Sequence, residues 1–436
     1  MVSSGPRFRV APGGALSGEL QVPGDKSISH RALMFGGMAE GVTEVSGFLE
    51  GEDCLATLRA LQALGVRIER LGPQRVVVHG AGARFNAPSA PLDMGNAGTA
   101  MRLFMGLLCG QPFGSVLVGD PSLSRRPMER VARPLRLMGA RIDTHEGLPP
   151  VILHGGAQLQ AIDYTLPLAS AQLKSALLLA GLHARGTTRI TEPAITRDHT
   201  ERMLRAFGVT VEQQGLTVAV SGGQRLRAAP VNVPGDFSSA AFFLVAGCLA
   251  AEQGLLLRNV GMNPTRTGLI QMLQAMGAHI EIRPRDPGAA EPVADLFVRR
   301  SRLRGIRVPE ELVSLAIDEF PVFFIAAAAA EGTTEVSGAA ELRVKESDRL
   351  AVMAAGLTSV GVRNELRPDG IVIEGGPIRG GRIDSHGDHR IAMAFAVCSL
   401  RATGVIEIDD VANVATSFPG FAELARGVGL PVELLA

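Results

Sequence analysis

Short alternating apolar stretches and longer runs of small apolar residues take turns along this chain. The first alternation, residues 16–22, breaks at Pro23 and Gly24 and hands over to a run of helical spacing, 28–39. A strand pattern at 43–46, a helical one at 53–64 and strand patterns at 67–70 and 75–79 follow. The order strand, helix, strand, helix, strand, strand then begins again. Gly and Pro clusters at 81–82, 155–156, 221–223, 284–288 and 375–377 mark turns between alternating segments.

Six polar clusters each open an Ala- and Leu-rich run. They lie at Lys26-Ser27, Asn96-Ala97-Gly98, Ser170-Ala171-Gln172, Asp236-Phe237-Ser238, Asp318-Glu319 and Asp388-His389-Arg390, spaced by roughly 70 residues. The second helix of each round ends in a related phrase: LQALGV (61–66), LRLMGA (135–140), LRAFGV (204–209), LQAMGA (273–278) and, more loosely, LTSVGV (357–362), with a degenerate form at 424–428. A Gly there stops a helix at the residue after its C-cap. Six β-α-β-α-β-β rounds predict an α/β fold. Two groups of three, with helices bundled inside and sheets outside, predict two similar domains, 20–233 and 1–19 plus 234–436, with crossings near 17–20 and 232–235. The alanine run 326–330 reads as buried helix.

A length of 436 residues suits two domains, and 46% hydrophobic content is ample for their cores. Aromatics are only 4%, without Trp, so stacking on nucleic-acid bases has little to work with. Lys plus Arg equals Asp plus Glu at 43 each, so no charge excess points to nucleic acid or a membrane surface. The four cysteines form no C-x-x-C pair, which suits reduced thiols rather than disulfides or zinc. Residues 1–6 lack a signal-like apolar core, and the longest apolar runs are too short for a bilayer. A cytoplasmic protein is expected.

Unpaired N–H groups and the helix dipole make a helix N-terminus attractive to anions. Lys26, Ser27 and Arg31 stand at such a handover, as an anion site or as an ordinary Ser-capped surface helix. Arg126, next to Arg125, offers a planar fork for carboxylate or phosphate, or else a solvated turn. If 345–349 is helical, Lys345 and Arg349 share a face with Glu346 beside them. That set can bind an anion and deliver a proton, or be a plain charged face. Asp318 and Glu319 precede the most apolar helical run, as dipole partners or as a general base. His386 and His389 lie near Asp384 and Asp388, but no third group at ligand spacing follows, so no metal is expected. Asp25 occupies the Gly position of a phosphate-loop ending, and neither a G-x-G-x-x-G nor a G-x-S-x-G motif is present.

The phrases GDKSISHRAL (24–33), GNAGTAMR (95–102), RRPM (125–128), SAQLKSALLLAG (170–181), PGDFSSAAFFL (234–244), ELRVKESDRL (341–350) and GDHRIAMAF (387–395) carry a resemblance. In order and spacing, over residues 16–421, the chain resembles the 5-enolpyruvylshikimate-3-phosphate synthase family. RDHTE (197–201), DEFPV (318–322) and TSFPGF (416–421) resemble its bacterial class II form. The resemblance implies a two-domain inside-out α/β barrel with the active site in the interdomain cleft. It implies enolpyruvyl transfer from phosphoenolpyruvate to shikimate 3-phosphate, with release of phosphate and no metal or cofactor. Lys26, Ser27, Arg31, Ser170, Ala171, Gln172 and Arg197 would then hold shikimate 3-phosphate. Asn96, Gly98, Arg126, Arg349 and Arg390 would cradle phosphoenolpyruvate, with Lys26 reaching it and Lys345 bridging the two. Asp318 would orient the 5-hydroxyl and take its proton, and Glu346 or Lys26 would protonate the vinyl carbon.

Two features qualify the resemblance. Thr416 stands where class I members carry Lys. Gly98 lacks the methyl that disfavours the longer inhibitor glyphosate in some class II members, so sensitivity to it is expected. The sister family that uses UDP-N-acetylglucosamine typically carries a reactive Cys, absent from 122–127 here, and Lys-Asn where this chain has Lys26-Ser27. A non-catalytic anion-binding homologue would have shed at least one of Lys26, Arg126, Asp318, Glu346, Arg349 and Arg390. A monomer acting on small molecules is expected.

Overall fold

A computed structural model of the chain describes residues 5–82, 84–285 and 291–436. Residues 1–4 and 286–288, read above as part of the N-terminal segment and of a turn cluster, lie outside the described residues. In chain order its α-helices are α1 (Lys26–Met38), α2 (Glu52–Ala63), α3 (Gly98–Leu108), α4 (Glu129–Leu137), α5 (Ala171–Gly181), α6 (His199–Ala206) and α7 (Phe237–Ala250). They continue with α8 (Gly268–Ala275), α9 (Phe320–Ala328), α10 (Arg349–Ser359), α11 (His389–Cys398), α12 (Val414–Ser417) and α13 (Phe421–Gly427).

Helices α1, α3, α5, α7, α9 and α11 start at the six polar clusters. Four have side-chain caps: Asp25 accepts from Ile28 N, Ser170 from Leu173 N, Asp236 from Ser238 and Ser239 N, and Asp388 from Arg390 N. The residue that makes the cluster polar therefore also begins the helix. The second helices end where the repeated phrase says. Gly65, Gly139, Gly208, Gly277 and Gly361 follow them with φ between 82° and 98°. In the sixth round Gly429, at φ 99°, takes that place, just past the degenerate phrase.

The chain divides into a continuous unit, Gly24–Val233, and a split unit, Met1–Pro23 with Pro234–Ala436. The first crossing thus falls at Pro23/Gly24, not at residue 20. Strand Gly18–Leu20 pairs in parallel with Leu255–Leu257, which ties it to the split unit. Of the alternation at 16–22, only these three residues form strand. Strand Val231–Asn232 likewise pairs in parallel with Val45 and Ser46 of Val42–Ser46. The strand before round one therefore completes the sheet of round four, and the strand before round four completes that of round one.

Among the described residues each unit carries three small sheets, and each four-stranded one has one parallel edge and two antiparallel pairings. N-terminal strand Arg7–Val10 lies inside the last sheet, between Ile406–Asp409 and Val432–Leu435. Strand residues alternate between core and solvent, as in Leu148–His154, whereas every residue of α7, α9 and α11 is buried. Those three helices pack on one another in the split unit, and α3 packs on α5 in the continuous one. Each fully buried Leu or Phe there is worth about 1.5–3 kcal/mol. Phe418 and Phe421 of the TSFPGF phrase belong to this packing, with rings against Phe8, Phe242 and Phe243.

Candidate functional site

In the continuous unit, side chains link the starts of α1, α3 and α5. Lys26 Nζ lies 2.9 Å from Asp53 Oδ2 at the start of α2. Arg31 is 3% exposed; it donates to Thr200 Oγ1 (2.7 Å), Ser27 O (2.9 Å) and Ser175 Oγ (3.0 Å). Gln172 donates to Thr99 Oγ1 at 2.9 Å and accepts from Arg102 at 2.5 Å. Ser170 is the α5 N-cap, Ala171 its first residue, and Arg197 lies half-buried before α6. Burial, helped by Lys26 and Arg31, pushes His30 well below its ordinary 6.5, so its ring is neutral at pH 7 and bonds Thr57.

The same unit holds a second cationic group. Arg126 donates to Asn96 Oδ1 at 2.6 Å, and Asn96 Nδ2 donates to Asp120 Oδ2 at 2.7 Å. Gly98 opens α3 directly against it: a Cβ there would stand 3.1 Å from Arg126 and 3.4 Å from Arg102. Thr99, Arg102, Asp120, Ser175 and Thr200 join this network without having been singled out. Arg102 closes GNAGTAMR and Thr200 sits within RDHTE, so the phrases held that signal.

In the split unit, Asp318 faces three cations. Its Oδ1 is 3.2 Å from Arg349 and 3.6 Å from Lys345, and its Oδ2 is 4.0 Å from Arg390. Arg390 also donates to Asp318 O at 2.9 Å. Arg349, 1% exposed, holds Asp388 (2.8 Å) and Glu346 (2.6 Å) as well. Burial opposes its charge, but Asp388, Glu346 and Asp318 outweigh that and raise its pKa further. Burial pushes Lys345 below the usual lysine range, against the pull of Asp318 and Glu341. Behind Asp318, Glu319 accepts from Ser238, which also takes Arg266 at 2.6 Å.

Residues 345–349 do not form the single helical turn that would put Lys345 and Arg349 on one face. Lys345 caps a short 3-10 helix, Ala340–Val344, and α10 starts only at Arg349. Asp348 is the reason, since its carboxylate accepts from Ala351 N and opens the helix there. Lys345 and Arg349 still converge, but on Asp318 rather than along one helix face.

Two α/β units of three rounds carry paired cations and acids at their helix starts, an arrangement suited to small anionic ligands. The family model described as EPSP synthase (3-phosphoshikimate 1-carboxyvinyltransferase) matches residues 10–424. A 3-phosphoshikimate 1-carboxyvinyltransferase from Methylococcus capsulatus is 58% identical over 430 residues, 98% of both chains. One from Halorhodospira halophila is 59% identical over 435 residues, 99% of this chain and 98% of that one. An EPSP synthase structure from Acinetobacter baumannii superposes with a TM-score of 0.88 at 52% identity, over 99% of this chain and 100% of that one. The chain belongs to the EPSP synthase family and has its two-domain inside-out α/β fold. It is a transferase of the shikimate pathway, moving the enolpyruvyl group of phosphoenolpyruvate to shikimate 3-phosphate. Among the described residues no helix is long and apolar enough to cross a membrane.

Proposed function

We propose that the three groups share the reaction. Lys26, Ser27, Arg31, Ser170, Ala171, Gln172 and Arg197 hold shikimate 3-phosphate. Asn96, Gly98, Arg126, Arg349 and Arg390 hold phosphoenolpyruvate, which Lys26 also reaches, and Lys345 contacts both substrates. Asp318 accepts the 5-hydroxyl proton as that oxygen attacks the enol carbon. The vinyl carbon gains a proton from Glu346, which must enter the step as the neutral acid and leaves it as the carboxylate that Arg349 pairs with, the alternative donor being Lys26. Loss of a methyl proton then expels phosphate, whose charge the cations stabilise. The observation that carries this reading is Asp318, one carboxylate facing Arg349, Lys345 and Arg390 within 4.0 Å. Arg349 already serves three carboxylates, so an incoming acid group shares its fork rather than meeting an idle one.

The test is phosphate release from phosphoenolpyruvate with and without shikimate 3-phosphate, run in deuterated water. Glu346→Gln is expected to slow both release and deuterium entry into the vinyl group by about 10²–10⁴. Unchanged deuterium entry in that variant, with loss of it in Lys26→Met, would reassign the donor to Lys26.

Lys345 gives a pH prediction. A lowered pKa means its charge is lost earlier as pH rises, so kcat/KM for phosphoenolpyruvate should fall before the ordinary 10.5 of a lysine is reached. Lys345→Arg, charged throughout, should move that limb upward. An alkaline limb unmoved in Lys345→Arg would remove Lys345 from substrate binding.

Sensitivity to glyphosate follows from Gly98. In Gly98→Ala the new methyl meets Arg126 at 3.1 Å, and the guanidinium must give way. The inhibition constant is expected to rise about 10-fold or more, a loss of at least ~1.4 kcal/mol. An unchanged constant would show that this wall does not limit the inhibitor. Buried free cysteines, three of them with thiols pushed up to about 12, support a reducing cytoplasmic setting. Balanced charge supports small anions rather than nucleic acid or membrane as partners.

A further inference from the structure

A buried ionic cluster lies beneath the segment that carries Arg197. Lys174, one turn into α5, is 1% exposed. Its ammonium sits 2.7 Å from Glu192 Oε1 and 2.7 Å from Glu201 Oε1, and both glutamates are buried. Burial works against the ammonium, but Glu201 and Glu192 outweigh it and keep Lys174 charged. Glu192 directly follows strand Thr187–Thr191, and Glu201 lies in the first turn of α6. One side chain thus grips both ends of segment 192–201. Within the segment, Thr196 donates to the second oxygen of Glu192. The next residue of α5, Ser175, pairs with Thr200 at 2.7 Å, and both hydroxyls accept from Arg31.

Apolar side chains of like volume usually stabilise a core as well as buried ions do, so stability alone does not call for this cluster. What ion pairing adds is geometry: each glutamate has one favourable place. We propose that Lys174 is a positioning residue, which clamps segment 192–201 onto α5 so that Arg197, and Arg31 through Thr200, stand ready for shikimate 3-phosphate. This rests on the reading above that Arg197 and Arg31 bind that substrate. Small misplacements of binding groups are costly in rate and affinity, by as much as ~10²-fold for about 1 Å.

The experiment is steady-state kinetics on Lys174→Met, with Arg197→Ala and the double variant alongside. Lys174→Met is expected to raise KM for shikimate 3-phosphate about 10-fold or more while KM for phosphoenolpyruvate stays within about 2-fold. Combined with Arg197→Ala it should add less than its separate effect, because both act at one place. Lys174→Met leaves two buried carboxylates without their cation and can fail to fold. The uncharged variant Lys174→Met/Glu192→Gln/Glu201→Gln keeps shape and volume and is read in the same way. Normal KM for shikimate 3-phosphate in either folded variant, with KM raised in Arg197→Ala, overturns the positioning role alone. Equal rises in both KM values also overturn it, as a general structural effect. Normal KM in Arg197→Ala overturns the substrate reading and this inference with it.

Discussion

Asp318→Asn is expected to lower kcat by about 10²–10⁴, the usual cost of removing a positioned general base. KM for phosphoenolpyruvate should stay level or fall. The wild-type carboxylate competes with the substrate for Arg349, Lys345 and Arg390, all within 4.0 Å, and the amide competes less. Asn keeps the volume and can still accept from Arg349, so the thermal midpoint should change little. A fall in kcat without a rise in KM is the mark of an interaction made in the transition state. Near-normal kcat in a folded Asp318→Asn variant would end the assignment of the base.

Arg349→Met is expected to destabilise the split unit strongly. Its guanidinium holds Asp388, which is fully buried, together with Glu346 and Asp318. Removing it leaves a buried carboxylate without a counter-charge, at a cost of about 3–5 kcal/mol. At ~2–4 °C per kcal/mol for a unit of this size, calorimetry should register a drop of roughly 6–20 °C. Asp388 also caps α11, so the start of that helix, with Arg390, should loosen as well. Arg349→Lys cannot restore the fork that spans these partners. The double variant Arg349→Met/Asp388→Asn should recover part of the loss. A midpoint within 2 °C of wild type in Arg349→Met would contradict the account (~1 kcal/mol or less).

The sequence by itself determined the period, the element order and the places where helices begin and end. These are local matters: apolar spacing, a capping Asp or Ser, and a Gly that accepts positive φ are read within a few residues. The phrases at the helix starts also identified the family and most of the candidate site, because a helix N-terminus and its side chains form one contiguous anion-binding device. Tertiary structure alone decided the exchange of leading strands, since nothing within residues 18–20 or 231–232 says which sheet will accept them. It decided the shape of 345–349, where the Asp348 cap prevailed over helical spacing. It also decided which charges are paired. Lys174 finds Glu192 and Glu201, and Arg349 finds Asp388, across gaps of 18, 27 and 39 residues. A sequence shows that a charge exists, but its partner and its burial come from the whole packed chain.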